Sequence, residues 1–169
     1  MPARRLDGKA CAADLEERLK NRISKCNIQP HLAVLIIGND PASHVYVRNK
    51  IKSCGRLGIK STHIELPEET SQEAVIETII SLNNDKTLHG ILIQSPLPSH
   101  LDEESLTDLI DPMKDVDGFH PINLGNMMLE QPCFLPATPF GIITLIENFN
   151  INTTGKNCLI IGRSHIVGT

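Results

Sequence analysis

Tyr46 and Lys50 stand four residues apart in a stretch of helical character, so both side chains leave one helix face about one turn from each other and can share a ligand. The same spacing also suits a solvated basic face made of Arg48, Lys50 and Lys52, with Tyr46 as a core aromatic. Gln94 ends an apolar run before Ser95-Pro96-Leu97-Pro98, a stiff turn from which its amide can point into a crevice or bond its own backbone. Asp115-Val116-Asp117-Gly118 offers alternating carboxylates, which suit a cation, the donor edge of a heterocycle, or a solvated turn. No calcium loop is spelled there, because the remaining ligand positions and the distal Glu are missing. Gly162-Arg163-Ser164, with Gly168 beyond, matches neither G-x-G-x-x-G nor a P-loop. An Arg beside a first βα turn can nevertheless pair with a 2′-phosphate and so favour NADP over NAD.

The elements that must position these residues follow from hydrophobic period. Leu15, Leu19 and Ile23 recur at four-residue spacing among charges, predicting an amphipathic helix over 10–25. His31 to Gly38 is a short apolar run ending in Gly, as expected of a strand covered on both faces. A helix should run from about Ser43, its candidate N-cap, to Leu57, with Gly58 just beyond. Lys60 to Leu66 reads as a second strand, Thr70 or Ser71 as the cap of a helix carrying Val75, Ile76, Ile79, Ile80 and Leu82, and Leu88 to Gln94 as a third strand. This alternation predicts right-handed βαβ units and an α/β fold: an open, mostly parallel sheet with flanking helices and ligands beyond the strands' carboxyl ends. The loops after Gly38 and Gln94 are therefore where chemistry belongs. A short acidic helix near 102–110 precedes a long Pro-, Gly- and Asn-rich loop from Asp111 to Thr138. Thr138-Pro139 then caps a helix with Ile142, Ile143, Leu145 and Ile146 that can bridge two domains, and Asn157 to Ile161 reads as the strand opening a nucleotide-binding βα unit.

With 169 residues, 40% hydrophobic and 21% charged, the chain suits one soluble domain, or one plus a fragment. A net charge of −4 argues against a nucleic-acid partner, and an aromatic content of 3% with no Trp leaves no stacking platform for single strands. The longest apolar run, Leu32 to Ile37, is far short of the roughly 18 residues a membrane helix needs, so no membrane partner is expected and the default compartment is cytoplasmic. Five widely spaced cysteines without a C-x-x-C read as free thiols. The histidines lack paired metal spacing; His31, His63 and His89 read as partly buried strand-end residues, and no metal site is predicted.

Taken together, the segments resemble the bifunctional methylenetetrahydrofolate dehydrogenase/methenyltetrahydrofolate cyclohydrolase (FolD) family, from the first helix to the last residue. The matching pieces are Gly38 to Ser43 before Tyr46 to Lys50, Gly90 to Gln94 with Pro96-Leu97-Pro98, Lys114 to Pro121, Thr138 to Gly141, and Gly162-Arg163-Ser164 with Ile166-Val167-Gly168. Ser95 and Ala137 depart from the usual Leu and Cys. The resemblance implies oxidation of 5,10-methylenetetrahydrofolate with NADP, then hydration of the 5,10-methenyl cation to 10-formyltetrahydrofolate, a one-carbon step feeding purine biosynthesis. It implies Lys50 and Gln94 as catalytic residues, Tyr46 stacking on the aminobenzoyl ring, Asp117 on the pterin edge and Ser43 in the pocket. Gly162, Arg163 and Ser164 would meet the cofactor phosphate. It further implies a folate-binding domain over 1–138, a bridging helix and the start of a Rossmann-like NAD(P)-binding domain over 139–169, and a homodimer for the full-length family. Because family chains continue well past this point, the sequence reads as an amino-terminal piece whose dehydrogenase activity is not expected; the alternative is a noncatalytic or unstable folate-binding fragment.

Overall fold

The structure is a computed structural model and describes residues 5–163. Helix α1 (Gly8–Ile23) starts at Asp7, whose carboxylate accepts the amides of Lys9 and Ala10 and so satisfies donors that the first helical turn leaves unpaired. Strand β1 (His31–Ile37) follows, then helix α2 (Pro41–Leu57) and strand β2 (Lys60–Leu66). Helix α2 begins three residues earlier than the Ser43 cap predicts. Asp40 is the cap, Pro41 opens the helix, and the Ser43 amide donates to Asp40 Oδ2 at 2.7 Å. That bond holds the Asp40 carboxyl below its ordinary range. Gly58 closes α2 with a left-handed φ of 80°, as expected. Helix α3 (Gln72–Asn84) is capped by Ser71, and strand β3 (Gly90–Ile93) is shorter than the Leu88–Gln94 run. The flanking amides still extend its bonding to β1, His89 N to His31 O and Gln94 N to Leu35 O. Helix α4 (Glu103–Thr107) is shorter than the 102–110 span predicts.

The segment from Asp111 to Thr138 is not one loop: it contains helix α5 (Pro121–Met128). Gly125 and two Asn residues make this a poor helix by propensity. Tertiary groups stabilise it instead: Pro121 fixes its first turn, His120 Nδ1 accepts the Ile122 amide, and Asn123 is buried. Helix α6 (Ala137–Asn148) takes Thr138-Pro139 into its first turn, and its cap is Pro136 with no side-chain bond, so Thr138 is not the cap. The expected strand at Asn157 to Ile161 does not form among the described residues. A parallel strand needs a neighbour to receive its ladder, and here Leu159 and Ile161 are 84% and 92% exposed.

The three strands are parallel in the order β2-β1-β3, with Leu35 opposite both Ile64 and Ile93. Strand residues alternate between faces, and β1 is apolar on both. Ala33, Leu35 and Ile37 join Val75, Ile79, Leu106 and Ile110 beneath α3 and α4, whereas Val34 and Ile36 meet Val47 of α2 and Leu92. Truncating Leu35 to Ala in such a core costs about 2–5 kcal/mol. The histidines divide. His31 is buried, its ring bonded to Thr62 Oγ1 and Thr87 O, but His63 lies exposed in the middle of β2 and His89 is exposed, accepting the His31 amide. Solvent reaches these two because β2 is an edge strand and His89 lies outside the sheet's ends.

Candidate active site

The order β2-β1-β3 means that the chain leaves β1 to one side and later returns to the other. Carboxyl ends of strands diverge at such a switch point and open a crevice. Helix α2 rises from the end of β1, and Gln94 stands at the end of β3. The two meet: Lys50 Nζ donates to Gln94 Oε1 at 3.2 Å. Gln94 Nε2 donates to the carbonyl of Ser95 at 2.7 Å, which turns Oε1 toward the lysine. Ser95 precedes a cis Pro96; its hydroxyl donates to Glu103, and its carbonyl also accepts from the buried Ser43 hydroxyl at 3.4 Å. Both readings of Gln94 therefore hold at once, since one end of the amide braces the turn and the other faces the crevice.

Lys50 is half-buried while Arg48 and Lys52 on the same helix are exposed, so Lys50 is no part of a solvated basic stripe. Tyr46, one turn earlier, is 62% exposed and is not a core aromatic. Asp117 completes the group. Burial raises its carboxyl above the ordinary carboxylate range, Lys50 pulls it back down, and Asp115 adds to the rise. Among the described residues the Asp117 carboxyl accepts no hydrogen bond, which leaves it available to a ligand.

Asp115 is different. It is 1% exposed and accepts from the amides of Gly118 at 3.0 Å and His120 at 2.8 Å and from Asn123 Nδ2 at 2.9 Å. Both of its oxygens are held by protein donors, which assigns it to the loop and not to a ligand. Among the described residues no group of three His, Cys, Asp or Glu side chains could hold a metal ion. Gly118 has a φ of +73°, and a Cβ there would stand 2.5 Å from the Leu135 carbonyl carbon. Only glycine lets the turn pack against residues 135–137, where the Ala137 amide donates to Asp117 O. Lys114 donates through Nζ to the carbonyls of Leu82, Asn83 and Asp85, closing α3. Sequence reasoning gave no role to Lys114, Asn123 or Glu103 and did not separate the supporting task of Asp115 from that of Asp117. Lys114 and Asp115, four and three positions before the turn glycine Gly118, were the one available signal. Gly162 and Arg163 lie in an exposed stretch without regular structure, and Ser164 lies outside the described residues.

The family model for the tetrahydrofolate dehydrogenase/cyclohydrolase catalytic domain matches residues 6–117, a span that contains Ser43, Tyr46, Lys50, Gln94 and Asp117. The chain belongs to this family. The model for the NAD(P)-binding domain of tetrahydrofolate dehydrogenase/cyclohydrolase matches residues 136–169. The bifunctional protein FolD of Prosthecochloris aestuarii is 52% identical over 96% of this chain and 57% of its own length, and that of Halalkalibacterium halodurans 49% identical over 99% and 61%. The crystal structure of the FolD enzyme from Campylobacter jejuni superposes with a TM-score of 0.92 at 43% identity, over 96% of this chain and 59% of that one. The N5,N10-methylenetetrahydrofolate dehydrogenase-cyclohydrolase (FolD) of Trypanosoma brucei, complexed with NADP and an inhibitor, gives a TM-score of 0.92 at 31% identity, over 99% of this chain and 59% of that one. The chain thus spans about three-fifths of the length of these tetrahydrofolate dehydrogenase/cyclohydrolase relatives. No helix among the described residues is long and apolar enough to cross a membrane.

Proposed function

We propose that the crevice binds a reduced folate and that Lys50, held by Gln94, carries the hydration of 5,10-methenyltetrahydrofolate to 10-formyltetrahydrofolate. The observation that carries this reading is the 3.2 Å bond from Lys50 Nζ to Gln94 Oε1 at the crevice where the uncommitted Asp117 carboxyl also feels the lysine charge. Water adds to the carbon of the N5–CH–N10 cation, and Lys50, which must first give up its own ammonium proton to solvent, takes the proton lost as the C–O bond forms. The C–N5 bond then breaks as the new hydroxyl gives up its proton to become the formyl oxygen, N5 takes up a proton on the returning electron pair, and the formyl group stays on N10. Gln94 keeps the amine aimed at the reacting carbon, a positioning contribution. Asp117 accepts from the 2-amino edge of the pterin through a charge-assisted bond. The exposed Tyr46 ring offers a face for the aminobenzoyl group, and the buried Ser43 supports the pocket from behind through its bond to Ser95 O.

The whole enzyme in this proposal also oxidises 5,10-methylenetetrahydrofolate with NADP, works as a cytoplasmic homodimer, and feeds purine biosynthesis. Its folate domain extends over 1–138, and its nucleotide domain begins at 139, with Gly162, Arg163 and Ser164 toward the cofactor phosphate. The described residues do not by themselves fit a dinucleotide. Residues 157–163 form no ladder and are exposed, so they hold no fixed cradle. The exposed Leu159, Ile160 and Ile161 also favour a second reading, a folate-binding chain of low stability. Following the decay of methenyltetrahydrofolate absorbance decides between them: hydration above the spontaneous rate, lost in Lys50→Met, supports catalysis, and a rate equal to buffer rejects it.

A further inference from the structure

The two carboxylates of Asp115-Val116-Asp117 point to different tasks. We infer that Asp115 is a positioning residue: its buried carboxylate ties together the loop that holds Asp117 at the crevice, and through that loop it sets recognition of the pterin edge. This inference deepens the folate reading and rests on it. Three donors converge on Asp115 from three places, the Gly118 amide inside the turn, the His120 amide at the start of α5, and the Asn123 side chain within α5. Each donor lies on the far side of Asp117 in the chain, so the carboxylate folds the segment back around the residue between. The near side is fixed as well, because the Ile91 amide donates to Lys114 O at 2.8 Å and joins the loop to the free edge of β3. Asn123 extends the brace by donating to Pro112 O and accepting the Phe134 amide. Asp117 is thereby held between two anchored points while its own carboxyl stays uncommitted.

A carboxylate suits this task better than an amide. It offers acceptor positions only, whereas Asn would present its own N–H₂ to one of the donors. Bonds to a charged acceptor are also the stronger kind. The groups that face Asp117 are Lys50 of α2, Asp115 in the same loop, and Glu103 of α4, which lines the same small cavity. Loosening the loop hydrates Asp117, and removing the Asp115 charge lifts a repulsion, so both effects move its titration downward.

The test uses the 169-residue chain and Asp115→Asn, with folic acid and p-aminobenzoyl-glutamate as probes, binding measured by calorimetry and the Asp117 carboxyl titrated by carbon NMR. Expected are an affinity for folic acid weakened about tenfold, an affinity for p-aminobenzoyl-glutamate changed less than about twofold, and an Asp117 midpoint moved down. A purely structural role would weaken both ligands alike. Unchanged folic acid affinity with an unmoved Asp117 midpoint overturns the inference. Should Asp115→Asn fail to fold, Asn123→Ala removes one donor and should give the same ligand selectivity to a smaller degree, and equal loss for both probes overturns the inference. Hydrogen exchange of the wild-type chain needs neither variant nor ligand: the Gly118 and His120 amides should be protected, and exchange at open-chain rates while β1 stays protected overturns it. A wild-type chain that ignores folic acid yet shows protected amides and a midpoint lowered by Asp115→Asn rejects the folate reading and keeps the positioning role.

Discussion

Replacing glycine by alanine at two positions seven residues apart should give opposite results, and the difference can be worked from the backbone. Gly118 has a φ of +73°, and a Cβ there would meet the Leu135 carbonyl carbon at 2.5 Å, its oxygen at 2.6 Å and Pro136 N at 2.7 Å. The left-handed conformation costs an L-residue about 1–2 kcal/mol. Crowding a methyl against backbone that cannot rotate away adds about 1–3 kcal/mol. Gly118→Ala should therefore destabilise by about 2–5 kcal/mol, a large part of a domain's usual stability of about 5–15 kcal/mol. Gly125 lies in α5 with open space around it, and Ala there should stabilise by about 0.5–1 kcal/mol because it restricts the unfolded chain. Chemical denaturation of both variants measures the two values. Binding supplies the functional half: Gly118→Ala must push the loop off residues 135–136, displace Asp117 and weaken folic acid binding, whereas Gly125→Ala should leave it unchanged. Equal stabilities for the two variants, or undiminished folic acid affinity in a folded Gly118→Ala chain, would refute the claim that this turn sets the site.

Lys50→Met should abolish methenyl hydration while leaving folate affinity within about tenfold, and a retained rate would remove Lys50 from the mechanism. Asp117→Ala should lose about 1–3 kcal/mol of binding for pterin-bearing ligands and little for p-aminobenzoyl-glutamate, which isothermal titration can separate. Because burial raises the Asp117 carboxyl in the folded chain, folding takes up a proton between the unfolded and folded values, and stability falls as pH rises through that window. Asp117→Asn should accordingly raise Tm at neutral pH and lose that advantage below the ordinary Asp value near about 3.9; a thermal shift that does not depend on pH would contradict this. A polypeptide of these 169 residues should form no NADPH from methylenetetrahydrofolate, since residues 157–163 give the dinucleotide no cradle, and steady NADPH formation would count against that conclusion.

What could be read from the sequence was whatever depended on period and on neighbours a few positions away. The run His31 to Ile37 announces a strand with two buried faces because each of its faces meets a different helix layer. Tyr46 and Lys50 share a helix face by spacing alone, and Gln94 falls at a strand end. The 44 positions between Lys50 and Gln94 are bridged by topology, because strand–helix alternation brings the ends of β1 and β3 to one crevice. Where partners come from outside the pattern, the reading failed. Helix α5 contradicts its own composition because His120, Pro121 and Asn123 anchor it from a turn already fixed by Asp115. The stretch from Asn157 to Ile161 has a strand's composition, but composition names no neighbour, and none pairs with it among the described residues. The two aspartates make the same point more sharply. By type, Asp115 and Asp117 are interchangeable, two carboxylates on one polar loop. Gly118 separates them by turning the chain so that three donors reach the first and none reaches the second. The difference that matters for ligand binding is thus set by one glycine's backbone angle and by the residues 135–137 against which that turn packs.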